Sequence, residues 1–287
     1  MRRLIINADD FGLTSGVNRA IAEAHLAGRL TSATLMAGAA ASSEAIDFSL
    51  NTPSIGVGCH VVLLDGIPSL PTKKIRGITD AHTAAFHPSL GKFLSRLLTG
   101  RIPAAEIEAE AAAQIAMLHS RGLRLTHIDT HKHTHMFPAV LRPVLRAARA
   151  AGINAVRNPF EPAWATRATP NAPLARRLQV ALLRHLQPDF LRIVAEEGFA
   201  TTDGAIGVLA TGTLDALTIA SLLNHMPEGT FELVTHPGYD GPDLSRTRTR
   251  LTASRRIELD ALLSASLKSD VQLTTFAALA SHGTRRR

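Results

Sequence analysis

Short apolar runs alternate along this chain with longer segments of helical spacing, and several of the runs end abruptly in polar, chemically competent residues. That rhythm is the strongest constraint on the fold. Leu4–Ala8, Ser32–Met36, Ile55–Val61, Leu125–Asp129, Ala155–Arg157, Ile206–Leu209, Phe231–Thr235 and Val271–Leu273 read as strands. Helical patterns follow Thr14 or Ser15, span Ala104–Arg121, follow Pro138, and cover Leu174–Leu186, Leu214–Asn224 and Leu251–Leu267. Strands that alternate with helices pair in parallel, and this many units predict a closed or nearly closed β/α barrel. Two stretches, about 68–90 and 159–173, lack a period and read as excursions over the active face. The expected architecture is α/β, a distorted β/α barrel of about seven parallel strands in a single domain spanning 1–287. Its core runs from about residue 4 to 276, with a basic tail at 282–287.

Composition narrows the class. Nearly half of the 287 residues are apolar, enough for a full-sized core. Cys59 is the only cysteine, so the chain builds neither a disulfide framework nor a thiolate cluster. The formal charge of +7 is carried mainly by dispersed arginines, with a local group at Arg246, Arg248 and Arg250 and no basic run interleaved with aromatics. A solvated surface accounts for that pattern better than nucleic-acid binding. Asp9 and Asp10 interrupt the first apolar run too early for a signal peptide, and no stretch reaches the roughly 18–20 apolar residues of a membrane span. The expectation is a cytoplasmic protein, with contact to a membrane surface left open.

In a β/α barrel the C-terminal strand ends converge on one face, which carries the chemistry. Here those ends read Asn-Ala-Asp-Asp-Phe-Gly (7–12), Gly-Cys-His (58–60), His127 through His135, and Thr-His-Pro-Gly-Tyr-Asp (235–240). Neutral imidazoles with carboxylates suit a divalent ion. Four histidines within nine residues make a purely structural explanation of the cluster weak. If the fourth run stays extended, His127, Asp129 and His131 share one face and Thr130 and Lys132 the other; not all can ligate an ion, so some must orient the ligands. His25, His82, His87, His119, His185, His225 and His282 read as incidental or structural. Asp9 and Asp10 could instead cap the following helix, and His236 could be a turn residue. No nucleophile elbow, phosphate-binding loop or dinucleotide fingerprint is present. Paired carboxylates such as Asp9 and Asp129 could serve a glycosidase, but the histidines would then go unused.

These motifs, with Thr-His-Ile-Asp-Thr-His-Lys-His-Thr-His-Met-Phe-Pro at 126–138, His-Pro-Gly at 236–238 and Ser-Ala-Ser-Leu-Lys at 264–268, resemble the YdjC carbohydrate deacetylases from Leu4 to about Phe276. Within that family the chain most resembles the branch associated with hopanoid biosynthesis. The resemblance implies hydrolytic removal of an N-acetyl group from an amino sugar, on an oligosaccharide or a glycosylated hopanoid lipid. It implies one divalent ion, magnesium or zinc, bound by Asp10, His60 and His131. Lys132 stands where the family often has another histidine. On this reading Asp9 is the general base, and His236, with His133 as the alternative, protonates the departing amine. His127 and Asp129 orient ligands, and Tyr239 and Asp240 contact sugar hydroxyls. A homodimer is expected by analogy with relatives. The competing classes are a metal-dependent phosphoesterase or other amidohydrolase, and a non-catalytic sugar- or lipid-binding barrel.

Overall fold

The structure, a computed structural model, describes residues 1–283, so the basic tail expected at 282–287 lies largely outside the described residues and His282 carries no side-chain account. In chain order the elements are β1 (Arg2–Phe11), α1 (Ser15–Leu26), β2 (Ser32–Leu35), α2 (Ser42–Asn51), β3 (Gly56–Val61), α3 (Leu90–Leu98), α4 (Ala104–Ser120), β4 (His127–Thr130) and α5 (Pro138–Ala150). They continue with α6 (Ala163–Ala168), α7 (Leu174–Leu183), α8 (Gln187–Glu196), β5 (Gly204–Ile206), α9 (Ala216–His225), β6 (Gly229–Thr235), α10 (Pro242–Ser245), α11 (Ala253–Ser264), β7 (Val271–Leu273) and α12 (Phe276–Gly283).

All strand pairs are parallel, in the order β4-β3-β2-β1-β6-β5, with β7 joining β1. β1 is the centre of the sheet. β6 pairs with it from Arg2 to Ala8, β7 holds only Arg2–Leu4, and β2 takes over from Asn7. Single bridges at Ile128–Val156 and Ala155–Ala200 continue the curl beyond β4. The sheet is therefore a barrel with a distorted, partly laddered wall. Alternation along β1 separates two environments. Leu4, Ile6 and Ala8 face the main core beneath the helices, whereas Ile5 joins Ala155 and Phe276 in a second, smaller cluster. Asn7 and Asp9 follow Ile5 on that second face, so it changes from apolar to polar towards the C-terminal end.

The helices explain themselves locally. Thr14 caps α1, its Oγ1 accepting from Val17 N at 3.2 Å. Glutamates early in α4 are favoured by the helix dipole, but they also hold the excursion that follows β3. Buried Glu110 accepts from Ser69 N and Leu70 N at 2.7 and 3.0 Å, Glu106 from Gly77 N at 2.6 Å, and Gln114 brackets the Val62 backbone. This excursion contains a short 3-10 turn, Thr72–Lys74, and a bridge between Thr79 and Phe86.

Several elements differ from expectation. The strand expected at Ile206–Leu209 lies at Gly204–Ile206, and the irregular stretch 159–173 contains α6. α2 and α3 were not anticipated, nor was α8. Pro188 sits in the first turn of α8, where its missing N–H costs nothing. Among the described residues, no helix is long and apolar enough to cross a membrane.

Candidate active site

Two adjacent strand residues normally face opposite ways, yet Asp9 and Asp10 are both buried at the same strand end. The reason is a bulge. Ala8 pairs with Ala33 and Phe11 with Leu35, so β1 spends one residue more than β2 over this step. Asp10 absorbs it with φ of 63°, a left-handed conformation costly for an aspartate. Arg255 of α11, fully buried, donates from Nη2 to Asp10 Oδ2 at 2.5 Å and anchors the turned carboxylate.

The other carboxylate oxygen of Asp10 meets two imidazoles. Asp10 Oδ1 lies 3.7 Å from His60 Nε2 and 3.4 Å from His131 Nδ1, and those two nitrogens are 3.3 Å apart. Three ligands each about 2.1 Å from one tetrahedral ion would stand ~3.4 Å from one another. The donor set therefore fits a single divalent ion, and these residues could hold one. Asp129 fixes the orientation of the His60 ring. His60 Nδ1 donates to Asp129 Oδ1 at 2.7 Å, which leaves Nε2 facing Asp10 and His131. Burial would lower the pKa of His60, but Asp129, Asp9 and Asp10 push it up to about 9. Burial likewise opposes the charge on Asp10, and Arg255 with the two histidines holds it well below the usual carboxylate range.

A second group, Asp9, His60 and Asp129, is also close enough to share an ion. It already holds a cation. Arg157, fully buried, grips Asp9 with a fork, Nη2 to Oδ1 at 2.6 Å and Nη1 to Oδ2 at 2.8 Å, and also contacts Asp129 and Glu232. Asp9 Oδ1 further accepts from Asn7 and Thr34, each at 3.2 Å. Burial would raise the pKa of Asp9; Arg157 overrides it and holds the carboxyl well below the usual range. Glu232 goes the other way, burial pushing it up to about 7.

His236 follows β6 directly and lies beside Asp9, with Nε2 3.8 Å from Asp9 Oδ2. Its backbone N–H donates to Glu258 of α11 at 2.6 Å, and Nδ1 lies 3.7 Å from the same carboxylate. Burial disfavours the imidazolium, but Glu258, Asp9 and Asp10 raise the pKa on balance. Cys59 is fully buried, and burial with Asp129 pushes its thiol pKa up, which removes it as a nucleophile.

The extended run expected to continue to Lys132 stops at Thr130. From His131 the chain turns into a tight helix, with left-handed φ of 56° at Lys132 and 53° at His133. Lys132 reaches the rim, donating to Asp65 at 2.6 Å. His133 is partly buried, its Nδ1 without a partner among the described residues, and burial followed by Arg157 pushes its pKa down to about 3. His135 is a brace between Thr130 and the Arg157 carbonyl. His127 is not among the close donor groups. It stacks on Phe276 with centroids 3.9 Å apart, and its Nδ1 bonds Thr126. Tyr239 also leaves the centre: its hydroxyl bonds Glu23 and its ring carries Arg19 at 4.1 Å. With Asp240 it lines a separate groove of about 450 Å³ along α1.

Sequence reading did not single out Arg157, Glu232, Arg255 or Glu258. Glu232 carried a signal, being an isolated charge between Phe231 and Leu233 in an apolar strand. Arg255 and Glu258 lie in a polar helical segment and read as surface.

Comparison with known proteins shows the family and the fold. The family model for YdjC-like protein matches residues 3–273. A carbohydrate deacetylase of Brevibacillus brevis is 32% identical over 288 residues, covering 96% of this chain and 99% of that protein. A solved structure from Enterococcus faecalis, of a protein described as a candidate for cellobiose-phosphate cleavage, superposes with a TM-score of 0.77 at 24% identity. That match covers 97% of this chain and 98% of the other, and shows a shared fold. With the family pattern spanning nearly its whole length, the chain belongs to the YdjC-like family.

Proposed function

We propose that this protein is a carbohydrate deacetylase that hydrolyses the N-acetyl group of an amino sugar, with one divalent ion held by Asp10, His60 and His131. The observation that carries this reading is the compact triad of donor atoms, 3.3–3.7 Å apart, set beside Asp9 and His236, whose Oδ2 and Nε2 stand 3.8 Å apart. The similarity to the Brevibacillus brevis carbohydrate deacetylase supports the substrate class. When bound, the ion polarises the amide carbonyl and lowers the pKa of the attacking water.

The chain's own groups supply the proton traffic. Asp9 stays ionised in the grip of Arg157, and among the described residues its Oδ2 accepts only from that guanidinium, which leaves a lone pair on the His236 side for the water's proton. Glu258 favours the protonated form of His236, which donates to the departing amine. Asp129 orients His60 through Nδ1. His133 is a poorer acid than His236, because burial and Arg157 keep it neutral.

A two-metal phosphoesterase is disfavoured by charge. A second ion among Asp9, His60 and Asp129 would have to displace the guanidinium of Arg157. The finer substrate, an amino sugar on a free oligosaccharide or on a hopanoid lipid, is separated by comparing N-acetylated substrates of both kinds. The role of Asp9 has a direct test. Asp9→Asn is expected to retain one bound ion per chain and to lose turnover by at least about a hundredfold; near-normal turnover in that variant sinks the base assignment.

A further inference from the structure

α7 is built inside out. Leu174, Leu178 and Leu182, spaced i, i+4, i+8, form one stripe, and they are 71%, 62% and 69% exposed. No residue of this helix is buried. Its arginines are turned to the protein instead. Arg176 donates to the carbonyls of Val208 and Thr211 at 3.1 and 3.0 Å, and Arg177 to those of Thr166, Thr169 and Ala172 at 2.6, 2.6 and 3.1 Å. An amphipathic surface helix ordinarily puts its apolar stripe on the core. Here backbone carbonyls hold the charged side down and the leucines stand in water, an arrangement that marks an interaction surface.

Charge identifies the partner. From Pro162 to Pro188 the chain has no aspartate or glutamate, and besides the inward-turned Arg176 and Arg177 it exposes Arg167 and His185. A second row of cations, Arg246, Arg248 and Arg250, is exposed alongside. Arg248 Nε stands 3.5 Å from Asp65, the rim residue that Lys132 also binds. Leu251, next to Arg250, packs on Gly212, the neighbour of the Thr211 whose carbonyl Arg176 of α7 binds, which places the end of that row next to α7. Leucines and arginines thus share the rim of the barrel mouth, since α7 is tied to the segment just beyond the C-terminal end of β5. A second copy of the chain would bring the same cations against these. An anionic lipid surface satisfies both the apolar stripe and the charge.

We propose that the leucine stripe of α7, with the arginine row at 246–250, docks this protein on an anionic lipid surface. The inference does not rest on the proposed reaction, and its test uses no substrate. The full chain is sedimented with phosphatidylcholine vesicles, with and without phosphatidylglycerol, at low and raised salt. The expected result is binding that requires phosphatidylglycerol and weakens with salt. Arg250→Gln is expected to lower the partition coefficient about fivefold, and the combined Leu174→Gln, Leu178→Gln and Leu182→Gln variant more than about tenfold. Melting curves show whether the combined variant folds, and Leu178→Gln alone, expected to reduce binding in the same direction, replaces it if it does not. The proposal is overturned by absence of phosphatidylglycerol-dependent binding, or by leucine variants that bind like the parent. It is equally overturned by a lipid-free dimer, seen in sedimentation velocity, that the leucine substitutions dissociate, because the stripe would then belong to a second copy.

Discussion

Asp10 can face the proposed metal site only because the backbone adopts φ of 63° there, and Arg255 is the group that rewards this conformation. Loss of an outer partner of a metal ligand typically costs 10–100-fold in affinity. Arg255→Gln is accordingly expected to weaken divalent-ion binding by about that factor in calorimetric titration, with Asp10 itself intact; unchanged affinity would mean that Asp10 holds its place without Arg255. Arg157 carries a different burden. It is the cation among Asp9, Asp129 and Glu232, all buried, so Arg157→Leu leaves like charges facing one another without it. The expected loss is about 3–5 kcal/mol of unfolding free energy in denaturant titration, and a loss below about 1 kcal/mol would mean that the carboxylates are compensated elsewhere. At this scale the sequence was half legible. Asp9, Asp10, His60 and His131 stand in motifs at strand ends, where polar residues are conspicuous. Arg157 and Arg255 are not conspicuous, since nothing in the local pattern distinguishes a buried arginine from a surface one.

The elements around the site are held by acids that point inward. Glu161 accepts from the backbone N–H groups of Gly207 and Leu209, and Glu258 from those of Gly212 and His236, so the segment after β5 is clasped on both sides. Burial pushes the Glu161 pKa up from 4.5 to about 7 despite these donors. The folded state therefore binds its proton more tightly than the unfolded chain does. Its contribution is fully present below pH 4.5 and is lost as the pH rises to about 7, on the order of 3 kcal/mol across that window. Glu161→Gln is expected to flatten this part of the stability–pH profile, read from denaturation midpoints; an unchanged slope would mean that Glu161 is ionised throughout. The alternation of strands and helices was readable because β1, β3 and β6 are apolar runs bounded by polar ends. The excursion after β3 was not, because Glu110 and Gln114 of α4 hold its shape and no local pattern of its own does.

For the molecule as a whole, the barrel brings together residues as distant in sequence as Asp10 and Arg255. The parallel sheet followed from the rhythm of the sequence. How its wall closes did not, because closure depends on single bridges at Val156 and Ala200 and on β7 sharing an edge of β1 with β2. The same closure stacks Phe276 on His127, although His127 belongs to the same histidine-rich motif as His131. Everything proposed for the site converges on one reaction at one ion. The direct measurement is acetate release from N-acetylated chitooligosaccharides and from an N-acetylglucosaminyl lipid, using metal-stripped protein titrated with a divalent ion. The expected result is no release without metal, release that rises to a plateau at about one ion per chain, and loss of that release in His131→Ala. Acetate release unaffected by metal removal, or a fully loaded site that releases none from any of these substrates, would contradict a metal-dependent deacetylase.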